Sequence, residues 1–255
     1  MNNNNKETEE GSDAAMLEND TTFSAKGCLK LEARQALVIR NTTFRVAGEA
    51  SVLVDSPECL FERCAFVAAG LPRDEERCPL VSLNSMQAAF NHCEFHCEEF
   101  RSTISSHGSL RMVGCVIEAG FSDRRPIVSM RGHGNGSILS CDSCKFIACV
   151  SDEKPVVWSS GGLILDNCMF EACNASRNMV EWIGIKSPAS ISRCTFRDCA
   201  AADHLVACLG QSCETRKNSS AMECRVENSI FSSKGEDFFG KNSWILSSGN
   251  PVPSC

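Results

Sequence analysis

Two stretches decide the fold: DNCMFEAC (Asp166–Cys173) and SRCTFRDC (Ser192–Cys199). They begin 26 residues apart, and each carries Cys-x-Phe with a second cysteine three residues after the Phe. The same unit recurs at Cys64/Phe66, Cys93/Phe95 and Cys144/Phe146, with degenerate copies at Thr42/Phe44, Cys115/Ile117 and Ser229/Phe231. That makes eight copies, spaced by 22 to 35 residues with a mean near 27. Self-similarity at such a period is the mark of a repeat architecture.

The flanks sharpen the repeat. Three and five residues before each Cys position stands an apolar, Ala or Cys residue, as in Leu37/Ile39, Cys59/Phe61, Leu110/Met112 and Leu163/Leu165. Each pair alternates with period 2, as Cys-x-Phe does after it, and period 2 is a strand signal. The two alternations are out of phase by one residue. A straight strand would send one pair inward and the other outward, whereas a bend between them sends both inward. The residue at the bend is Asn41, Arg63, His92, Gly114, Ser143, Asn167, Arg193 or Asn228. Half of these are Asn or Gly, which best tolerate left-handed backbone angles. The spacing therefore predicts two short strands joined by a tight corner.

A third apolar segment lies between successive units: PLVSL (Pro79–Leu83), PIVSM (Pro126–Met130), PVVW (Pro155–Trp158), MVEW (Met179–Trp182) and LVACL (Leu205–Leu209). Pro opens three of them, a position that a strand allows. The expected fold is all-β: a coil of parallel strands with about eight rungs of three short strands each. No rung closes a core alone, and stacking buries a continuous column. At about 4.8 Å per turn the coil would be roughly 40 Å long. The length variation falls in expected outward loops near Ala68–Cys78, Arg131–Ser137 and Leu209–Ala221.

This pattern resembles the single-stranded right-handed parallel β-helix of the pectin-lyase-like superfold, over about Thr21–Ile245. The resemblance, not the spacing, implies the right hand. The rungs at Asp166–Cys173 and Ser192–Cys199 are similar to repeats of large cysteine-rich surface proteins in bacteria and protists. Gly161-Gly162-Leu163-Ile164 followed by Phe170 is similar to one repeat of the polymorphic outer membrane protein family.

The ends differ from the middle. Residues 1–20 hold one Lys against six acids and read as a disordered, acidic, Asn-rich tail before a β-helix domain spanning 21–255. The tail lacks the basic start and apolar run of a secretory signal. No stretch of about 20 apolar residues offers a membrane span. The location expected by default is cytoplasmic, or the cell surface if a signal lies upstream. The last expected strand starts at Trp244, with no polar cap after it, so the domain is expected to be truncated at its C-terminal end. A net charge of −7 argues against a basic nucleic-acid face.

Eighteen cysteines in 255 residues, without an export signal, read as reduced thiols behaving as small hydrophobes. Cys64, Cys93, Cys115, Cys144, Cys168 and Cys194 should form an inward ladder, with Cys149, Cys173 and Cys199 as a shorter one. Rungs about 4.8 Å apart exceed the mean Cβ separation of a disulfide, about 3.8 Å, so bridges along a ladder would need distortion.

Several clusters invite a chemical reading. His92, Cys93, His96 and Cys97 look like metal ligands, but on one strand the two histidines would sit about 13 Å apart. Cys141-x-x-Cys144 lacks a second such pair, and both cysteines hold core positions. Gly132-His133-Gly134 and Gly184-Ile185-Lys186 are similar to two polygalacturonase motifs, with Lys186 preceded by Gly and Ile rather than Arg and Ile. The paired acid and base carboxylates of such enzymes are missing upstream, where only Asp123 stands beside Arg124 and Arg125. Sequons occur at Asn19, Asn41, Asn135, Asn174 and Asn218.

Trp158 is out of phase with the core positions Leu83, Met130 and Trp182, and so should face outward. Leu80, Ile127, Val156, Met179 and Leu205 share its phase, predicting either a loop-covered row or an apolar stripe for a partner. No metal and no cofactor is expected. The functional expectation is a non-enzymatic structural or recognition solenoid with an unknown protein or glycan partner. Trp158 and His133 are its candidate ligand contacts. The alternative is a polysaccharide-active enzyme or carbohydrate-binding module of the same fold.

Overall fold

The computed structural model describes residues 14–25, 28–47, 50–69, 78–97, 102–118, 120–122, 124–132, 136–184, 187–208, 224–227, 229–232 and 245–247. Within them every regular element is a strand, and every strand pair is parallel. No helix among them is long and apolar enough to cross a membrane. The chain winds as a right-handed β-solenoid, the hand that parallel crossovers adopt.

One turn shows the plan. Ile138–Asp142 lies in a first ladder, Lys145–Ile147 in a second and Val157–Ser159 in a third, and the next turn begins at Gly162. The first two ladders share the strand Ala36–Ala47, which bends at Asn41 and so belongs to both. The third ladder holds nine strands, from Leu29–Glu32 to Ile245–Ser247. Eight copies of the repeat bound seven intervals, so the coil has about seven turns rather than eight.

The bore is filled by stacked rings and thiols. In the second ladder Phe44, Phe66 and Phe95 stack at 4.9 Å per step. After Ile117 the column resumes, with Phe146 and Phe170 at 4.5 Å and Phe170 and Phe196 at 4.6 Å. Phe61 and Phe90 of the first ladder stack at 4.9 Å and meet Phe66 edge-on at 5.5 and 5.8 Å. Offset stacks and edge contacts are the arrangements that ring quadrupoles favour.

The corner carries the expected backbone. Asn41, Arg63, His92, Ser143, Asn167 and Arg193 have φ between 50° and 55°, and Gly114 has φ 60°. Asn228 lies outside the described residues. The bend does not interrupt the ladder. Asn167 N–H donates to Ser192 O of the next turn (2.9 Å), and the Cys168 carbonyl accepts from Thr195 N–H (2.9 Å). Five of the six buried thiols that follow these bends donate back to the turn before. Cys93 reaches Phe61 O at 3.4 Å, Cys115 reaches Phe90 O at 3.3 Å and Cys168 reaches Cys141 O at 3.4 Å. Each also approaches the carbonyl two residues earlier, as Cys194 does Ser192 O at 3.3 Å. Thr42 makes that second contact with its hydroxyl (2.9 Å to Arg40 O), which explains why Thr can open the ladder.

A second corner repeats the first. Ala148, Ala172 and Asp198 have φ of 51°, 52° and 54°, and each precedes a buried cysteine. Cys173 donates to Phe146 O at 3.3 Å and Cys199 to Phe170 O at 3.4 Å. Beyond this corner runs a fourth ladder of two-residue strands: Phe121–Ser122, Val150–Ser151, Asn174–Ala175 and Ala200–Ala201. Three strands per rung therefore become four in this part of the coil.

Two more expectations change. Leu80, Ile127, Val156, Met179 and Leu205 are buried, not an outward row. Leu80 and its neighbour Val81 belong to one buried apolar cluster, which excludes the exposed stripe. The 20/21 boundary falls inside the strand Ala14–Ala25, which pairs with Ala36–Ala47 and places Phe23 against Phe44 at 5.7 Å. Residues 1–13, 70–77, 133–135 and 209–223, on which most of the expected outward loops fall, lie outside the described residues.

The cysteines described with their side chains form no disulfide, and all but Cys28 and Cys78 are buried. Burial pushes the Cys59 thiol up to about 11. Contact with the Cys144 thiol, with burial adding, pushes Cys115 up to about 12.

Three outcomes follow from the corner and the bore. Ala172→Gly, which removes a Cβ from a left-handed corner, should stabilise by about 1 kcal/mol, whereas Phe170→Ala should cost about 3–5 kcal/mol, both read by urea unfolding. Mass mapping after alkylation of the folded protein should find Cys28 and Cys78 labelled, and Cys93, Cys115 and Cys168 only after denaturation. Because the unfolded chain ionises its thiols first, stability should fall as pH rises from about 9 towards the folded values of about 11 and 12.

Candidate functional site

A coil whose inside is filled can act only through its outside. Side chains of the first ladder that alternate with the core positions form straight outward rows. One row reads Val38, Leu60, Ala89, Arg111, Ser140 and Ile164 in register over six strands. At about 4.8 Å per step it runs roughly 24 Å. It floors a concavity of about 700 Å³ together with Ala36 and Ser109. Small residues at Ala36, Ala89 and Ser140 deepen it, and aliphatic side chains line it. Ile164 is 37% exposed, an uncommon setting for a large aliphatic in this molecule. Arg111 stands exposed in the middle, with no ion-pair partner among the described residues.

The margin of this strip is charged and cross-linked. Arg40 Nε donates to Glu62 Oε2 of the next rung at 2.5 Å. That guanidinium holds the Glu62 carboxyl below the usual carboxylate range. Asp142 and Asp166 lie directly opposite one another on adjacent rungs. Asp142 Oδ1 accepts from Ser143 Oγ at 2.8 Å, and Asp166 Oδ1 accepts from Arg193 Nε at 2.9 Å and from Ser192 Oγ at 2.8 Å. Arg193 first, and Ser192 second, hold the Asp166 carboxyl below its ordinary value. Of this pair, Asp166 is therefore tuned to stay ionised, the opposite of the shift that a general acid needs.

The other candidates are dispersed. His92 sits exposed at its corner, while Cys93 and Cys97 point into the bore. His96 faces outward on the second ladder, with Nε2 3.4 Å from Glu94 and Nδ1 3.2 Å from Glu118. The four residues that looked like metal ligands thus divide between two sides of one strand. Cys141 and Cys144 are both buried. His133, Asp123, Ile185 and Lys186 lie outside the described residues, while Gly132 N–H donates to Ser160 Oγ at 3.0 Å.

Trp158 lies on the outer side of the third ladder, opposite Ser129 on one rung and Glu181 on the next, and is partly exposed. Trp182 points inward from the same ladder, and its Nε1 donates to Gly161 O at 2.7 Å. A Cβ at Gly184 would come within 2.3 Å of that nitrogen, so only glycine fits beside the indole.

No family model, no curated protein and no solved structure matches the chain.

The first-ladder strip escaped the sequence reading, although its signal was present. Val38, Leu60, Ile138 and Ile164 are apolar at positions that the corner geometry turns outward, and that excess was not weighed.

The Asp166 ion pair has a checkable pH signature. A carboxyl held down in the folded state stabilises above its unfolded value, and that stability is lost as pH falls through the folded one. Asp166→Asn should melt slightly below the wild type at pH 7, and the gap should close in thermal melts taken below about pH 4.

Proposed function

We propose that the chain is a non-enzymatic β-solenoid that serves as a structural or recognition scaffold, binding an extended protein or glycan along the outer face of the first ladder. The observation that carries this reading is the concave strip itself, with its aliphatic floor and the single exposed Arg111. A volume of about 700 Å³ suits a segment of a polymer. Desolvation at the floor would supply affinity and Arg111 would supply orientation, by a two-pronged contact to a carboxylate or similar anion. The Arg40–Glu62 and Arg193–Asp166 pairs at the margin are already engaged, whereas Arg111 has no ion-pair partner among the described residues and is open to a ligand. The rungs' resemblance to repeats of large surface proteins supports a recognition role over a catalytic one.

A second reading is a polysaccharide-active enzyme or carbohydrate-binding module of the pectin-lyase-like fold. The observation that favours it is the Asp142–Asp166 juxtaposition at the edge of the strip.

One experiment separates the two. Incubation with polygalacturonate and other acidic glycans should release neither reducing nor unsaturated ends, while peptide and glycan arrays should yield a ligand whose binding drops at least tenfold in Arg111→Glu. Product formation that disappears in Asp142→Asn would establish the second reading. Ligands indifferent to Arg111→Glu would remove the strip as the binding face.

A further inference from the structure

The outward row of the first ladder has an order along its length. Met16 pairs with Val38 and so adds one rung at the N-terminal end. Three rungs then separate Met16 from Ala89, and three more separate Ala89 from Ile164. Met16 is 56% exposed and Ile164 37%. The other exposed large hydrophobic among the described residues is Met86, which immediately precedes the central strand Gln87–Asn91. All three therefore stand on or beside one face, at its two ends and its middle. Apolar residues gathered in this way mark an interface.

The charges follow the same order. Arg111 lies one rung beyond Ala89, and Leu60 lies one rung before it. Glu58 shares the outward side of Leu60's strand, is exposed, and has no ion-pair partner among the described residues. One unpaired cation and one unpaired carboxylate thus flank a small residue at the centre of the row.

We propose that this face docks a second copy of the chain. The two coils lie face to face and antiparallel about a two-fold axis that passes through Ala89 parallel to its strand. The inference rests on the strip being a binding face and names its partner. In an isologous contact each position meets the one equally far beyond the axis. Ala89 meets Ala89, where two small side chains let the faces close. Met16 meets Ile164 at both ends. Arg111 of each copy crosses Leu60 of the other, its stem covering the aliphatic floor and its guanidinium meeting Glu58. Other axes fit less well. One at Arg111 would oppose two guanidiniums, and one at Leu60 would carry Ile164 past the first described rung of the other coil. The face measures about 29 Å by 13 Å. That is small for a permanent dimer, so association should depend on concentration.

The test is sedimentation equilibrium of the full chain from about 1 μM to 1 mM. The chain should pass from monomer to dimer, and added salt should weaken the dimer. Arg111→Glu and Glu58→Arg should each weaken it at least tenfold, with the β-rich circular dichroism of the wild type. The double variant should recover most of that loss, which a merely damaged fold would not. Ala89→Glu, which sets two carboxylates on the axis, should leave a monomer. A wild type that stays monomeric throughout would overturn the proposal. So would a dimer indifferent to both single variants, or a double variant no better than either. A monomer whose array ligands still depend on Arg111 would remove the second copy and leave the recognition reading in place. A dimer with charge-swap rescue, together with array ligands indifferent to Arg111→Glu, would keep the second copy and remove the foreign ligand.

Discussion

Each described turn must change direction without losing a hydrogen bond, and the device that allows it is a left-handed residue followed by a small buried donor, a thiol at six of the seven described first corners and the Thr42 hydroxyl at the other. The left-handed backbone swings the chain by one corner while its own N–H still reaches the next turn. The bend crowds two carbonyls toward the bore. A small side chain with a donor at the γ position can meet them, and cysteine does so while remaining apolar enough for the core. Left-handed angles in residues other than glycine cost about 1–2 kcal/mol each, so the coil accepts them only because stacking repeats the gain at every rung.

The rest follows from the corners. They align each strand with the one below, which brings Phe146, Phe170 and Phe196 into one stack and the thiols into another. They also divide the side chains between a packed bore and a free exterior. Ion pairs such as Arg40–Glu62 and Asp166–Arg193 then run along the outside between rungs, where they orient side chains more than they stabilise the fold. Two indoles on one ladder show how sharp the division is. Trp182 is sealed inside with its N–H bonded to Gly161 O, and Trp158 is left at the surface beside Glu181. Surface chemistry in such a molecule is organised in straight rows, because parallel register places equivalent positions over each other. The aliphatic strip around Arg111 and the Trp158–Glu181 pair are two such rows with different chemistry.

Much of this was legible in the chain. The one-residue phase slip between two period-2 patterns located the first corner at all seven of its described positions. The second corner was legible too but went unread: Phe146-x-x-Cys149, Phe170-x-x-Cys173 and Phe196-x-x-Cys199 repeat the apolar-x-x-Cys spacing of the first. Alanine and aspartate at its bends, rather than Asn or Gly, hid it. For the row from Leu80 to Leu205 the alternation left a covered row and an exposed stripe equally open, and only burial in the folded chain decided for the covered one.

The amino-acid sequence by itself determined that the chain is a stack of parallel strands, because periodicity and phase are one-dimensional properties that any rung must obey. Only the tertiary structure decided which polar groups meet. Asn178 touching Glu181, Arg193 reaching back to Asp166, and Arg111 standing clear of both margins depend on neighbours more than twenty residues away or on the local path of a loop. Such contacts are set by side-chain direction in space, which no repeat along the chain encodes.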